Sequence, residues 1–110
     1  MYIESEVLEL KEKFTDTLLR DIVAFLNTQG GEIYVGITDL GEIKGIPNDQ
    51  MDETQKKISD CITAQIEPNP QAEITTTPII ENGKNVIKII VGKGYKPIYC
   101  IKKYGFSSKG

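Results

Sequence analysis

Apolar and polar residues alternate from Glu6 to Lys11 (EVLELK), the period of a strand, with Val7 or Leu8 and Leu10 as inward positions. The period then lengthens. Leu18, Leu19, Ile22, Val23, Phe25 and Leu26 recur at helical spacing behind Thr15 and Asp16, either of which can cap the free amides of a first turn. This helix should stop near Thr28, where Gly30 supplies a left-handed closure and Gly31 opens an extended segment. The stretch EIYVGIT that follows is β-branched and aromatic, and its spacing sets Ile33, Val35 and Ile37 on one face. Asp39, Leu40 and Gly41 form a turn into a short strand, EIKGI, after which Pro47, Asn48 and Asp49 interrupt the pattern. From Gln50 to Glu67, Met51, Ile58, Cys61, Ile62 and Ile66 make the apolar stripe of a second helix that Pro68 and Pro70 end. AEITTTPII and NVIKIIV read as a hairpin closed by Glu81, Asn82 and Gly83, and in the tail only IYCIK reads as extended.

Strand, helix, hairpin, helix and hairpin predict a two-layer α+β domain, with two helices on one face of a mixed, mostly antiparallel sheet. The first strand and EIYVGIT are joined through a helix, so that pair should lie parallel. At 110 residues the chain holds one small domain, residues 1–110, and has no room for a second. The 39% hydrophobic and 26% charged content is that of a globular chain, which sets aside disorder. No apolar run reaches the roughly 20 residues of a membrane-spanning helix, and MYIESEVLELK has no basic stretch before an apolar block; the expected address is cytoplasmic, with no membrane partner. Cys61 and Cys100 lack the spacing of a zinc site and are read as reduced, buried, small apolar residues.

The charge balance narrows the chemistry. Thirteen basic against sixteen acidic residues give a net charge of -3, so contact with a polyanion must rest on a local patch. The absence of histidine removes a histidine-based triad or general base. Gly92-Lys93-Gly94 lacks the earlier glycine and the hydroxyl residue of G-x-x-x-x-G-K-S/T, which removes a P-loop. Carboxylates remain. Glu4, Glu6 and Glu9 crowd the first strand, and Asp39 ends the strand expected beside it; hard oxygen ligands so placed suit magnesium or manganese. The same residues also suit a solvated strand face and a turn-forming aspartate. Glu4 and Glu9 have opposite parity on a regular strand, so they converge only where the chain bends or bulges.

ESEVLELK, then FLNTQGG, then GITDLGEIKG resemble the Schlafen-type AlbA domain, in which E-S-x-x-x-E-F/L-K precedes a helix, F-x-N-T-x-G-G and a strand ending G-V/I-x-D-x-G-x-I/V-x-G. The match is dense over residues 4 to 46 and is carried further by element order, Pro97 and Tyr99. The resemblance implies one of two activities: DNA binding within a bacterial transcriptional regulator, or, as in vertebrate Schlafen proteins, cleavage of transfer and ribosomal RNA. In the nuclease branch three acidic residues act together, and the matching positions here are Glu4, Glu9 and Asp39, with magnesium or manganese as the implied metal. The family pattern continues into a closing strand bearing an arginine and a glycine, whereas this chain ends Ser107-Ser108-Lys109-Gly110, so it reads as a fragment of a longer protein.

The tail adds a basic and aromatic mixture, in which Lys93, Lys96, Lys102, Lys103 and Lys109 interleave with Tyr95, Tyr99, Tyr104 and Phe106. Such a mixture suits backbone contact with base stacking, and equally an edge strand protected by lysines. The expected nucleic-acid contacts are Lys11, Lys93, Lys96, Lys102, Lys103 and Tyr99, with Lys13 and Arg20 as further cations. The leading expectation is a DNA-binding domain of a transcriptional regulator. The alternatives are a metal-dependent endoribonuclease acting on structured RNA and a protein-interaction or homodimerisation module.

Overall fold

The computed structural model describes residues 2–96 and 98–102. The expectations that fall on Pro97, Lys103, Tyr104, Phe106 and residues 107–110 lie outside the described residues. Strand β1 (Leu8–Lys11) leads into helix α1 (Thr17–Leu26) and strand β2 (Gly31–Val35). One 3-10 turn, Asn48–Gln50, precedes helix α2 (Met51–Gln65) and the two-residue strand β3 (Ile66–Glu67). Strands β4 (Ile74–Glu81), β5 (Lys84–Val91) and β6 (Cys100–Ile101) complete the order. The main sheet runs β1-β2-β5-β4, with β1 parallel to β2 and the other pairs antiparallel, and β3 pairs with β6 in a second, small sheet. The expected class, two helices over a mixed and mostly antiparallel sheet, is the one observed. Among the described residues no helix is long and apolar enough to cross a membrane.

The apolar positions explain the layering. Leu18, Leu19, Ile22, Phe25 and Leu26 of α1 and Ile58 and Ile62 of α2 join Ile33 and Val35 of β2 and Ile87, Ile89 and Val91 of β5 in one buried cluster. Both helices therefore cover the same face. On the other face a smaller cluster holds Leu10, Tyr34, Ile37 and Val86, with Tyr2, Leu8, Ile43 and Ile79 against its rim. Leu8 and Leu10 are thus the inward pair of β1, and Glu9 and Lys11 fall on the helix side. The β4–β5 connection is a two-residue turn in which Asn82 and Gly83 both have positive φ, 50° and 74°, the backbone that matches the twist of a hairpin.

Five expectations are corrected. β1 starts at Leu8 rather than Glu6, because residues 5 to 8 make a tight turn closed by the Ser5 amide on the Leu8 carbonyl at 2.9 Å. Neither Thr15 nor Asp16 caps α1 through its side chain; the Thr15 backbone carbonyl takes the Leu18 amide at 3.0 Å instead. EIYVGIT is not one strand, since Gly36 (φ 115°) and Ile37 both direct their amides to the Lys11 carbonyl, and this bulge carries Ile37 to the opposite face from Ile33 and Val35. EIKGI is accordingly reduced to a single bridge between Ile37 and Ile43. Of the two free cysteines Cys61 is half-buried and Cys100 is exposed, so the reading of both as buried fails.

The double glycine has a steric reason. Gly30 has φ 86° and a Cβ there would stand 2.6 Å from the Val91 carbonyl oxygen, while a Cβ on Gly31 would strike the Phe25 ring. Gly83 also needs positive φ, but its Cβ would meet nothing within 4 Å. Gly30→Ala should therefore destabilise by about 2 to 3 kcal/mol and Gly83→Ala by about 1 kcal/mol, measured by urea unfolding. Equal losses would show that the contact with Val91 is not what requires glycine at position 30.

Candidate functional site

β1 is an edge strand, and its outer side is where the predicted carboxylates gather. The turn at residues 5 to 8, tightened by the Ser5 hydroxyl accepting the Val7 amide at 3.2 Å, folds the N-terminal residues back along the strand. Glu4 Oε2 then accepts the Leu10 amide at 3.3 Å. The parity conflict between Glu4 and Glu9 is resolved by this reversal. It also satisfies one backbone donor on an edge that would otherwise be open to another chain. Glu6 lies at the turn, exposed, and takes no part. Glu4, Glu9 and Asp39 line one open depression of about 400 Å³ together with Leu10, Lys11 and Glu12.

The electrostatics of this depression are uneven. Lys11 Nζ lies 3.0 Å from Asp21 Oδ2 of α1 and 3.9 Å from Glu9 Oε2, and it donates to the Thr17 hydroxyl at 3.2 Å. The Lys11–Asp21 contact is an ion pair without hydrogen-bond alignment, since Asp21 Oδ2 is buried with no hydrogen-bond partner. Burial, a hydrogen bond with Glu4 and the charges of Asp21 and Glu4 push the Glu9 carboxyl up from 4.5 to about 7, against the opposing pull of Lys11. Asp39 is exposed, and among the described residues its carboxylate makes no hydrogen bond or ion pair. The turn-forming part expected of it belongs to Thr38, whose hydroxyl accepts the Glu42 amide at 3.0 Å and whose carbonyl takes the Gly41 amide at 2.9 Å.

The donor chemistry suits a hard cation, but the placement does not. Among the described residues no three aspartate, glutamate or cysteine side chains stand close enough together to hold a metal ion. Glu4 is turned to a backbone amide and Asp39 stands exposed with no partner among the described residues, so the three predicted ligands border one space without converging in it.

The expected nucleic-acid contacts separate into two groups. Lys11 is only 19% exposed and is neutralised by Asp21 and Glu9, which removes it as a phosphate contact. Tyr99 is 3% exposed and packs in the core, so its ring offers no stacking face. Its hydroxyl accepts the Tyr95 and Lys96 amides at 3.2 and 3.4 Å, and its backbone is gripped at both polar atoms by the Asn27 side-chain amide, at 2.8 and 2.9 Å. Lys102 is half-buried and donates its amide to the Gln65 carbonyl. Lys93 and Lys96 are exposed and flank Tyr95, which is 87% exposed. Tyr99 thus builds the loop that presents Tyr95. Sequence reasoning passed over Lys44 and Lys57, which with the exposed Lys13 line a separate groove of about 360 Å³. They sit in three different segments, and no spacing in the chain marks them as neighbours.

An edge strand bearing carboxylates, a bulged second strand and a helical layer on one face define a small α+β domain with an acidic rim. The chain belongs to the Schlafen, AlbA_2 family, whose model matches residues 4–109. Its fold is similar to the solution structure of the N-terminal domain of a RecG-related protein from Nitrosomonas europaea, with TM-score 0.64 and 18% identity over 87% of this chain and 69% of that one. It is also similar to the DIP2311 protein of Corynebacterium diphtheriae, with TM-score 0.56 and 21% identity over 84% of this chain and 19% of that one. No curated protein sequence matches the chain.

The Glu9 shift has a measurable sign. Its folded-state value lies above the ordinary 4.5, so the fold favours the protonated acid; that contribution is complete below about 4.5 and is lost as pH rises through about 7. Glu9→Gln, which stays neutral, should remove this loss, leaving the variant more stable than the parent at pH 8 by on the order of 2 kcal/mol and nearly equal at pH 4. Urea unfolding at the two pH values measures the difference; parallel stability profiles would show that Glu9 ionises freely.

Proposed function

We propose that this domain binds nucleic acid through the loop that carries Tyr95, and that it serves as a DNA-binding domain of a transcriptional regulator. The observation that carries the reading is the exposed Tyr95, with the exposed Lys93 and Lys96 close to it on either side in the chain. An exposed aromatic ring with cations nearby in the chain suits a base stacked on the ring with its flanking phosphates on the lysines. The loop is shaped before any ligand arrives, because the Tyr95 and Lys96 amides are tied to the buried Tyr99 hydroxyl. Membership of the Schlafen, AlbA_2 family supports a nucleic-acid ligand, and the naming of the similar RecG-related protein for an ATP-dependent DNA helicase supports DNA. Lys93→Gln with Lys96→Gln should lower the log–log salt slope of single-stranded DNA binding by about 1.4, the release of two counterions. Tyr95→Ala should cost about 1 to 3 kcal/mol of affinity at an unchanged slope. Fluorescence anisotropy across a salt series reads both; unaltered affinity and slope in both variants would sink this assignment. Repeating the series with duplex DNA and with RNA fixes the polymer.

A second reading, cleavage of bound RNA, is favoured by one observation: the three carboxylates expected of a nuclease line a single depression. Burial and the neighbouring Glu4 and Asp21 push the Glu9 carboxyl up to about 7, which suits a group that holds and releases a proton near neutral pH. Transfer RNA incubated with the protein, in manganese and in EDTA, should be cut by the parent and spared by Asp39→Asn if this depression is an active site. Cutting at equal rates by both proteins, or by neither, would confine the domain to binding.

A further inference from the structure

The groove that contains Lys44 and Lys57 is built separately from both sites above. Its floor is apolar, formed by the buried Val35 and Ile46, and Phe14 and Pro47 stand on its walls. Lys13, Lys44 and Lys57 enter from the loop after β1, the segment before Pro47, and α2. Among the described residues Lys13 and Lys57 form no ion pair, whereas Lys44 is 3.5 Å from Glu42, with both side chains largely exposed. Glu12 is the acidic residue in the lining, so the local balance is positive in a chain whose net charge is -3. Asp49, Asp52 and Glu53 at the start of α2 complement the helix end and do not line the groove.

The walls are held in place. The Lys44 and Gly45 amides both bond the Gly36 carbonyl, at 2.9 and 2.8 Å, and the Ile46 amide bonds the Asn85 carbonyl at 2.8 Å. The Asn85 side chain in turn bonds the Ile46 carbonyl at 3.3 Å and Asn48 Oδ1 at 2.6 Å. Gly45 has φ 80°, and a Cβ there would press on the Lys84 side chain at 2.9 Å. The groove continues past the shared residues 44 to 47 into a second depression of about 340 Å³ that brings in Lys84. A rigid recess of about 360 Å³ is at the lower end of small-ligand pockets, and this one offers an aromatic ring, two polar side chains (Gln50 and Thr54) and three ammonium groups.

We propose that this groove binds a nucleotide unit, with its phosphate on Lys13, Lys44 and Lys57 and its base against Phe14 and Pro47. The unit is either a free mononucleotide or one residue of a strand, and the adjoining depression with Lys84 takes the next phosphate in the second case. The assignment does not depend on the Tyr95 loop.

The test is an amide chemical-shift titration of the 110-residue protein with adenosine 5′-monophosphate, adenosine, inorganic phosphate and a single-stranded oligonucleotide of about ten nucleotides. Adenosine 5′-monophosphate should move the Phe14, Lys44, Gly45, Ile46 and Gln50 amides and saturate at roughly millimolar concentration or below. Adenosine and phosphate alone should each bind about tenfold more weakly, and Lys13→Gln with Lys57→Gln should weaken the mononucleotide by about tenfold. Both lysines are exposed, so the unperturbed amides of that variant report an intact fold. The same amides moved by the oligonucleotide identify a strand residue as the ligand; moved by the mononucleotide alone, they identify a free nucleotide. Lys93→Gln with Lys96→Gln should leave the mononucleotide titration unaltered, which separates failure of the Tyr95 loop from failure of the groove. No movement of these amides by either nucleotide ligand, or equal mononucleotide affinity in the Lys13 and Lys57 variant, overturns the proposal.

Discussion

The rest of the structure depends on the enclosure of β2. Ile33, Tyr34 and Val35 are all buried, with Ile33 and Val35 under the two helices and Tyr34 in the opposite cluster. Both edges of the strand are paired, β1 on one side and β5 on the other. A strand so enclosed cannot slip by one residue without exchanging the contents of two cores. Its ends are set by glycines whose backbones no other residue adopts easily, Gly30 before it and Gly36 after it. The acidic rim hangs from β1, which this strand aligns, and the basic groove hangs from the Gly36 carbonyl, to which the Lys44 and Gly45 amides are bonded.

What the sequence made legible were features governed by local rules. The helical period of α1, the turn at Asn82 and Gly83, and the left-handed backbone of Gly30 after α1 are each written within a few residues, and each was found where expected. Glu4, Glu9 and Asp39, named together from the sequence as candidate ligands, line one depression, although the strand parity of the first two argued against their meeting. The missing piece was a turn of the kind Ser5 closes with its own hydroxyl, which leaves little trace in an alternating pattern.

What the sequence concealed were features decided by distant partners. Tyr99 looked like an available ring among lysines; only Asn27, far earlier in the chain, reveals that its backbone is fixed and its ring enclosed. Lys11 looked like a phosphate contact until α1 set Asp21 beside it. Gly36 read as an ordinary position in a β-branched run, yet its φ of 115° moves Ile37 from one core to the other. Periodicity carries no record of these contacts, because each is made between elements whose spacing the fold alone determines.

Glu12 belongs to the lining of both the acidic depression and the basic groove. The carboxylate-lined depression and the lysine-lined groove therefore adjoin at a single side chain. A polyanion lying in the groove would feel attraction along one direction and repulsion along the other, so the molecule carries a surface vector.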